Sequence, residues 1–217
     1  MLEYLEFFRM EYLDFFLKAF VAVFIIVDPP GNIPLYLSLT ETATEEERQI
    51  ISKKATLIAA ILLLILTVTG NFILEIFKVT LDGLRIAGGI LLFTISIDIL
   101  LGERRKRKYV EESRESIDVD SLATFPIALP LYTGPGAITA AIVLYSTAED
   151  LVLKILVLLS IIVTYLIVRI THVYSIKIVR VLGRSGSNII ARLMAIFLAA
   201  IAVEYFFTGL LGKLALL

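Results

Sequence analysis

Asp28 stands in the middle of an apolar run long enough to cross a bilayer, and Pro29, Pro30, Gly31 and Asn32 follow it at once. A carboxylate at that depth is costly unless paired or hydrated, so it marks a functional position by default. Asp28 can bind a substrate ammonium, take up a coupling proton, or cap the half-helix that restarts after it. The same kind of interruption occurs about half the chain later. IVDPPGNIPLYLSL at Ile26–Leu39 and LPLYTGPGAITAAI at Leu129–Ile142 align on Pro30, Gly31 and Ile33 with Pro135, Gly136 and Ile138. A helix broken there leaves N–H and C=O groups that lipid cannot satisfy, so such breaks persist only inside protein or beside a polar cavity. Paired breaks in corresponding halves are the sequence signature of a transporter binding site.

The residues after each break carry the candidate chemistry. A helix restarting after Gly31 directs the free N–H groups of Asn32 and Ile33 at the gap, and one restarting after Gly136 does so with Ala137 and Ile138. Helix N-termini hold anions through those N–H groups and the positive end of the dipole, and an amino-acid carboxylate suits such a cradle. Gly31 and Gly136 let a ligand approach the backbone and permit φ > 0; equally, a Pro-Gly pair can simply kink a span for packing. Asn32 both donates and accepts. Thr133 aligns with Asp28, beside Gly134, and Thr139 lies just beyond. Each threonine either meets ligand or bonds back to a carbonyl of the preceding turn. Glu204, deep in the last span, and Asp98, towards the end of the third, are further proton-coupling candidates, although Asp98 can also reach the interface near Arg104. His172 is the only histidine; at the end of a span it reads as an interfacial residue.

The elements that must position these residues are transmembrane helices. The 217-residue chain is 59% hydrophobic, with mean hydropathy +0.91, and its apolar residues form long runs rather than periodic stripes. Six spans are expected, at roughly 12–39, 55–76, 82–101, 121–147, 151–172 and 189–211. The first and fourth exceed the ~20 residues of one straight crossing, as two half-helices around an unwound centre would. Thr44 with Glu47 reads as a capping box, and Gly183–Asn188 as a loop. The stretch Val173–Leu182 either extends the fifth span or lies in the interface. Acidic Glu3, Glu6 and Glu11 at the start, with no cleavage site after the apolar run, argue against a signal peptide.

Lys and Arg set the orientation. Arg48, Lys53, Lys54, the run from Arg104 to Lys108, Arg114, Lys177, Arg180 and Arg184 fall on one side, which is expected to be cytoplasmic. Both termini then face outward, in a multi-pass protein of the cell membrane. Residues 103–120 form a charged cytoplasmic linker between a first three-helix repeat, 1–102, and a second, 121–217. With three spans each, the repeats are inverted, an arrangement that lets one site open alternately to either side. The duplication extends to Arg85 and Arg192, in LRIAGGILLF and ARLMAIFLAA, and to Gly102 and Gly209. Gly88 and Gly89 read as helix-packing residues.

DPPGNIPLYLSLT at 28–40 and ALPLYTGPGAITAAIVL at 128–144 resemble the two signature segments of the MarC family, and LRIAGGILLF resembles that family's third span. The resemblance covers nearly the whole chain. It implies a SnatA-like transporter of small neutral amino acids such as glycine and alanine, using the proton gradient. The double proline Pro29-Pro30 is a departure from the family, in which a single proline and an aliphatic residue are more usual.

Other function classes fit poorly. There is no cysteine, hence no thiol chemistry, disulfide framework or Cys-based metal site. HExxH, GxSxG and Walker motifs are absent, so neither an intramembrane enzyme nor an ATP-driven pump is expected, and no cofactor is implied. The basic run at 104–108 suits anionic headgroups rather than nucleic acid. The expected partners are a small neutral amino acid, H+ as coupling ion, and the bilayer. A channel or passive exporter, its pore lined by the broken helices, is the alternative reading.

Overall fold

A computed structural model describes residues 2–101 and 119–215. All of its regular elements are helices: α1 (Leu2–Val27), α2 (Ile33–Leu39), α3 (Glu45–Ile76), α4 (Leu81–Leu101), α5 (Val119–Tyr132), α6 (Pro135–Thr147), α7 (Leu151–Gly183) and α8 (Asn188–Leu214). Of these, α3, α4, α7 and α8 are long and apolar enough to cross a membrane, and α5 with α6 make a further candidate span bent by 58°. Six crossings are the sequence expectation; four or five meet this criterion among the described residues. The difference lies in α1, where Glu11, Asp14 and Lys18 leave a fully apolar stretch only from Ala19 to Val27 before the chain breaks. Gly102 and the linker as far as residue 118, with its basic run, lie outside the described residues.

Local chemistry sets the helix ends. Thr44 accepts the Glu47 N–H, and the Glu47 carboxylate accepts the Thr44 N–H at 2.8 Å, so the capping box forms and starts α3. Asp150 caps α7 by accepting the Leu153 N–H at 2.7 Å. Between α7 and α8 only Gly183 leaves helical geometry, at φ 66 and ψ 173. The expected loop at Gly183–Asn188 is therefore a hinge of one glycine, which carries the left-handed φ without a Cβ clash, and the chain winds on from there.

The packing logic is that of a protein in lipid. Along α3 the buried positions are Ile51, Ser52, Ala55, Thr56, Ala59, Leu63, Thr67 and Gly70, at helical spacing and mostly small, while Leu57, Ile61, Ile65, Val68 and Phe72 are exposed. Small side chains face the protein so that backbones can approach; large apolar ones face the hydrocarbon. Gly70 receives Ile142 of α6, whose Cγ1 would lie 2.5 Å from any Cβ there. Gly89 receives α8, with Ala202 O and Phe206 N at 2.7 and 2.8 Å from the same virtual atom, and Gly209 returns the contact against Asp82 O at 2.7 Å. Lys54 pairs with Asp120 and ties the start of α5 to α3.

The centre of the molecule is one apolar core that gathers the flanks of both interruptions. Val27, Leu35 and Tyr36 from the first join Ala128, Leu131, Tyr132 and Ala137 from the second, against Ala55 and Ala59 of α3 and Val157, Ile161 and Tyr165 of α7.

Candidate functional site

The first interruption is a turn of five residues closed by its own side chains. α1 ends at Val27, and Asp28 takes φ 50, a conformation that Asp and Asn tolerate better than other non-glycine residues. Its Oδ1 accepts the Gly31 N–H at 3.0 Å. Asn32 Nδ2 donates 2.9 Å to the Val27 carbonyl, one of the last that α1 leaves without an intrahelical partner. The Asn32 N–H goes to Asp28 O at 3.1 Å and the Ile33 N–H to Pro30 O at 3.4 Å. These bonds correct the expectation of free N–H groups at Asn32 and Ile33: the turn consumes them. They also relocate the strained residue. The left-handed φ belongs to Asp28, not to Gly31 or Gly136, and Gly31 is required because the Asp28 carboxylate packs where a Cβ would stand. Asp28 and Asn32 are buried; Pro30 and Gly31 are half-buried.

The second interruption is longer. From Ala123 to Tyr132 the chain winds in wide, irregular turns, with Phe125 and Leu129 in extended geometry. Each precedes a proline, Pro126 or Pro130, whose ring disfavours the helical region for the residue before it. Thr133 and Gly134 complete the break, and Pro135 opens α6 at a position where its missing N–H costs nothing. Thr133 does not bond back to its own turn. Its Oγ1 donates 2.9 Å to Ala59 O of α3 and lies 2.6 Å from Tyr165 OH of α7. Ile138 N bonds Gly134 O at 3.1 Å, within the new helix. Gly136 is a packing glycine: a Cβ would overlap Leu92 of α4, with Leu92 Cγ at 3.1 Å, and would touch Ile26 Cγ2 of α1 at 3.7 Å. That last contact brings the end of α1 against the start of α6, so the two breaks are neighbours. Thr139 packs on Gly88 of α4, with Ala137 buried and Ile138 half-buried beside it.

Two of the predicted acids stand apart. α8 buries Ala195, Leu198 and Ala202; Glu204, two residues and roughly 200° further round the helix, is therefore exposed on the outer face rather than inside the bundle. Asp98 is half-buried on α4, beyond the buried Leu92 and Ser96.

His172 is the residue whose burial the sequence did not reveal: it is 2% exposed. Its ring stacks on Tyr36 with centroids 3.7 Å apart and planes within 5°. Ser52 Oγ lies 3.0 Å from Nδ1, and Tyr132 OH lies 2.7 Å from Nε2. Arg169 Nη1 donates to Ser52 Oγ at 2.6 Å and Nη2 to Gln49 Oε1 at 3.0 Å. The available signal was a repeated triplet, Pro34-Leu35-Tyr36 and Pro130-Leu131-Tyr132, whose two tyrosines meet on this histidine.

Comparison with known proteins assigns the chain. The model of the MarC family integral membrane proteins matches residues 13–214. The chain belongs to the MarC family. A UPF0056 membrane protein of Archaeoglobus fulgidus is 59% identical over 94% of this chain and 95% of its own length. A UPF0056 membrane protein of Methanocaldococcus jannaschii is 36% identical over 93% and 98%, and the UPF0056 membrane protein YhcE of Escherichia coli is 34% identical over 91% and 92%. No solved structure matches the chain. This MarC family member is thus a multi-pass integral membrane protein, with its two Pro-Gly breaks side by side within the bundle.

Proposed function

We propose that the protein is a secondary transporter of small neutral amino acids, glycine and alanine among them, driven by the proton gradient and working by alternating access. In this reading it has six spans in two inverted three-helix repeats, 1–102 and 121–217, joined by the cytoplasmic linker 103–120, with both termini outside. It is not an enzyme and needs no cofactor. The observation that carries the reading is the contact of Ile26 with the Gly136 position, which sets two helix breaks from the two halves against each other. Thr133 in the second break bonds Ala59, near the middle of the long helix α3, the depth at which paired broken helices build a substrate site.

The breaks are closed in this conformation: the Asp28 carboxylate covers Gly31, and Leu92 covers Gly136. Opening would free the N–H groups of the Asp28–Ile33 turn for a substrate carboxylate. Asp28, Asn32 and Thr133 supply the polar contacts, with Pro30, Gly31, Gly134, Gly136, Ala137, Ile138 and Thr139 forming the walls. The test is uptake of labelled glycine into proteoliposomes under an imposed pH gradient or, separately, a sodium gradient. Uptake driven by the pH gradient alone is expected. Uptake insensitive to both gradients would assign a passive pore instead, and no uptake of any neutral amino acid would overturn the reading.

A further inference from the structure

The His172 cluster occupies its own layer of the bundle. Thr133 bonds Ala59 and Tyr165, whereas His172 bonds Ser52. Along α3, Ser52 lies about two turns before Ala59; along α7, His172 lies about two turns after Tyr165. Both helices therefore give the same spacing of roughly 10 Å between the layers. The His172 layer sits between the breaks and the face where α2 hands over to α3. In it, one imidazole on α7 touches three other elements: Tyr36 of α2, Ser52 of α3 and Tyr132 of α5. Tyr36 follows the first break by one helical turn, and Tyr132 lies within the second, directly before Thr133 and Gly134. Tyr36 OH also donates 3.0 Å to Arg48 O, which ties α2 to the start of α3.

We infer that His172 is a latch: by holding Tyr36 and Tyr132 together it closes the route from the two breaks to the α2–α3 face, and releasing it opens that face. What it gates rests on the transport reading above; the contacts that make it do not. The geometry favours a latch over a static core contact for two reasons. The contacts are few, a hydrogen bond to Tyr132 and a ring stack on Tyr36, and both fall on one residue, so rotating one ring breaks the two together. The neighbouring Arg169 is held by Ser52 and Gln49, both neutral, and so fixes Ser52 towards Nδ1. His172 acts on the site through Tyr36 and Tyr132 and is a positioning residue.

The chain has no cysteine, so a single introduced thiol reports accessibility without background. Ala55→Cys is placed between the two layers, at a position 0% exposed; Thr67→Cys, at 1%, lies further along α3 towards the other face. Each reporter is reconstituted alone, with His172→Gln, and with Tyr132→Phe, which removes one hydroxyl and keeps the ring. Labelling by a small impermeant methanethiosulfonate present on both sides is timed. Loss of a buried hydrogen bond shifts such an equilibrium by about tenfold, or about 1.4 kcal/mol. Ala55→Cys should therefore label about tenfold faster in both latch variants, with Thr67→Cys unchanged or slower. Equal acceleration at both reporters would mean general loosening, and no acceleration at Ala55→Cys would mean a static contact; either overturns the latch. Glycine uptake measured on the same vesicles separates the two readings: absent uptake with asymmetric labelling refutes the transport reading and leaves the latch standing.

Discussion

Asp28→Asn separates the two jobs that Asp28 can hold. The turn needs two things from this residue: an oxygen for the Gly31 N–H at 3.0 Å, and tolerance of φ 50. Asparagine supplies both, since its amide oxygen accepts and Asn enters the left-handed region readily. What it loses is charge. A hydrogen bond to a charged group contributes about 1.5–3 kcal/mol and a neutral one about 0.5–1.5, so the structural cost of Asp28→Asn is about 1 kcal/mol. Asp28→Ala loses the acceptor altogether, about 1.5–3 kcal/mol, and adds roughly 1–2 kcal/mol for a Cβ residue at positive φ that no local hydrogen bond compensates. At about 2–4 °C per kcal/mol for a chain of this size, melting in detergent should fall by no more than about 4 °C for Asp28→Asn and by about 5 °C or more for Asp28→Ala. If the carboxylate also meets substrate ammonium or a proton, the initial rate of glycine uptake by Asp28→Asn should nevertheless drop at least about tenfold, the effect of losing a charged partner of about 1.4 kcal/mol or more. The rate should fall less in Asp98→Asn, on α4. Parent-like uptake by Asp28→Asn would show that the carboxylate only closes the turn. Equal melting losses in the Asn and Ala variants would refute the account of the turn itself.

Gly136→Ala should lower stability by roughly 1–3 kcal/mol through overlap with Leu92, and in the same melting assay the double variant with Leu92→Ala should lose less than the two single variants added together. Thr133→Val, which removes bonds to Ala59 and Tyr165, should cost about 1–2 kcal/mol on the scale of interhelical bonds in membranes. Thr69→Val should cost less than about 0.5 kcal/mol, because Thr69 is only half-buried and bonds its own turn at Ile65 O. Unlabelled glycine, alanine and serine should compete with labelled glycine for uptake. Lysine, glutamate and tryptophan should not, because Ile33, Pro34, Ala137 and Ile138 leave a charged side chain without a partner. Tags on either terminus should be reached from outside intact cells and the 103–120 linker only from inside, as the Lys and Arg bias requires; the opposite pattern would reverse the topology.

Much of this protein is written in short stretches of sequence. The capping box of Thr44 and Glu47, the breaks at Asp28–Asn32 and before Pro135, and the apolar runs that make membrane helices all depend on residues within one or two turns of each other. The physics that decides them, the absent proline N–H, the capped amide and the cost of a polar backbone in lipid, acts locally. Even Gly88 and Gly89 are legible as packing residues, because small side chains in a span signal close approach. What the sequence does not carry is direction around the helix axis and identity across it. Glu204 reads as deep in its span, but that span is apolar on every side, and in such a helix periodicity does not say which face turns inward; the packing of Leu198 and Ala202 against α4 decided that. Thr133 found its partner on α3 rather than in its own turn, and Gly31 proved necessary because of a carboxylate three residues earlier that folds back over it. His172 shows the limit most plainly. A single histidine near a helix end has no local partner to reveal it, and only when α2, α3 and α5 close on α7 do Ser52, Tyr132 and Tyr36, two of them more than half the chain away, become its environment.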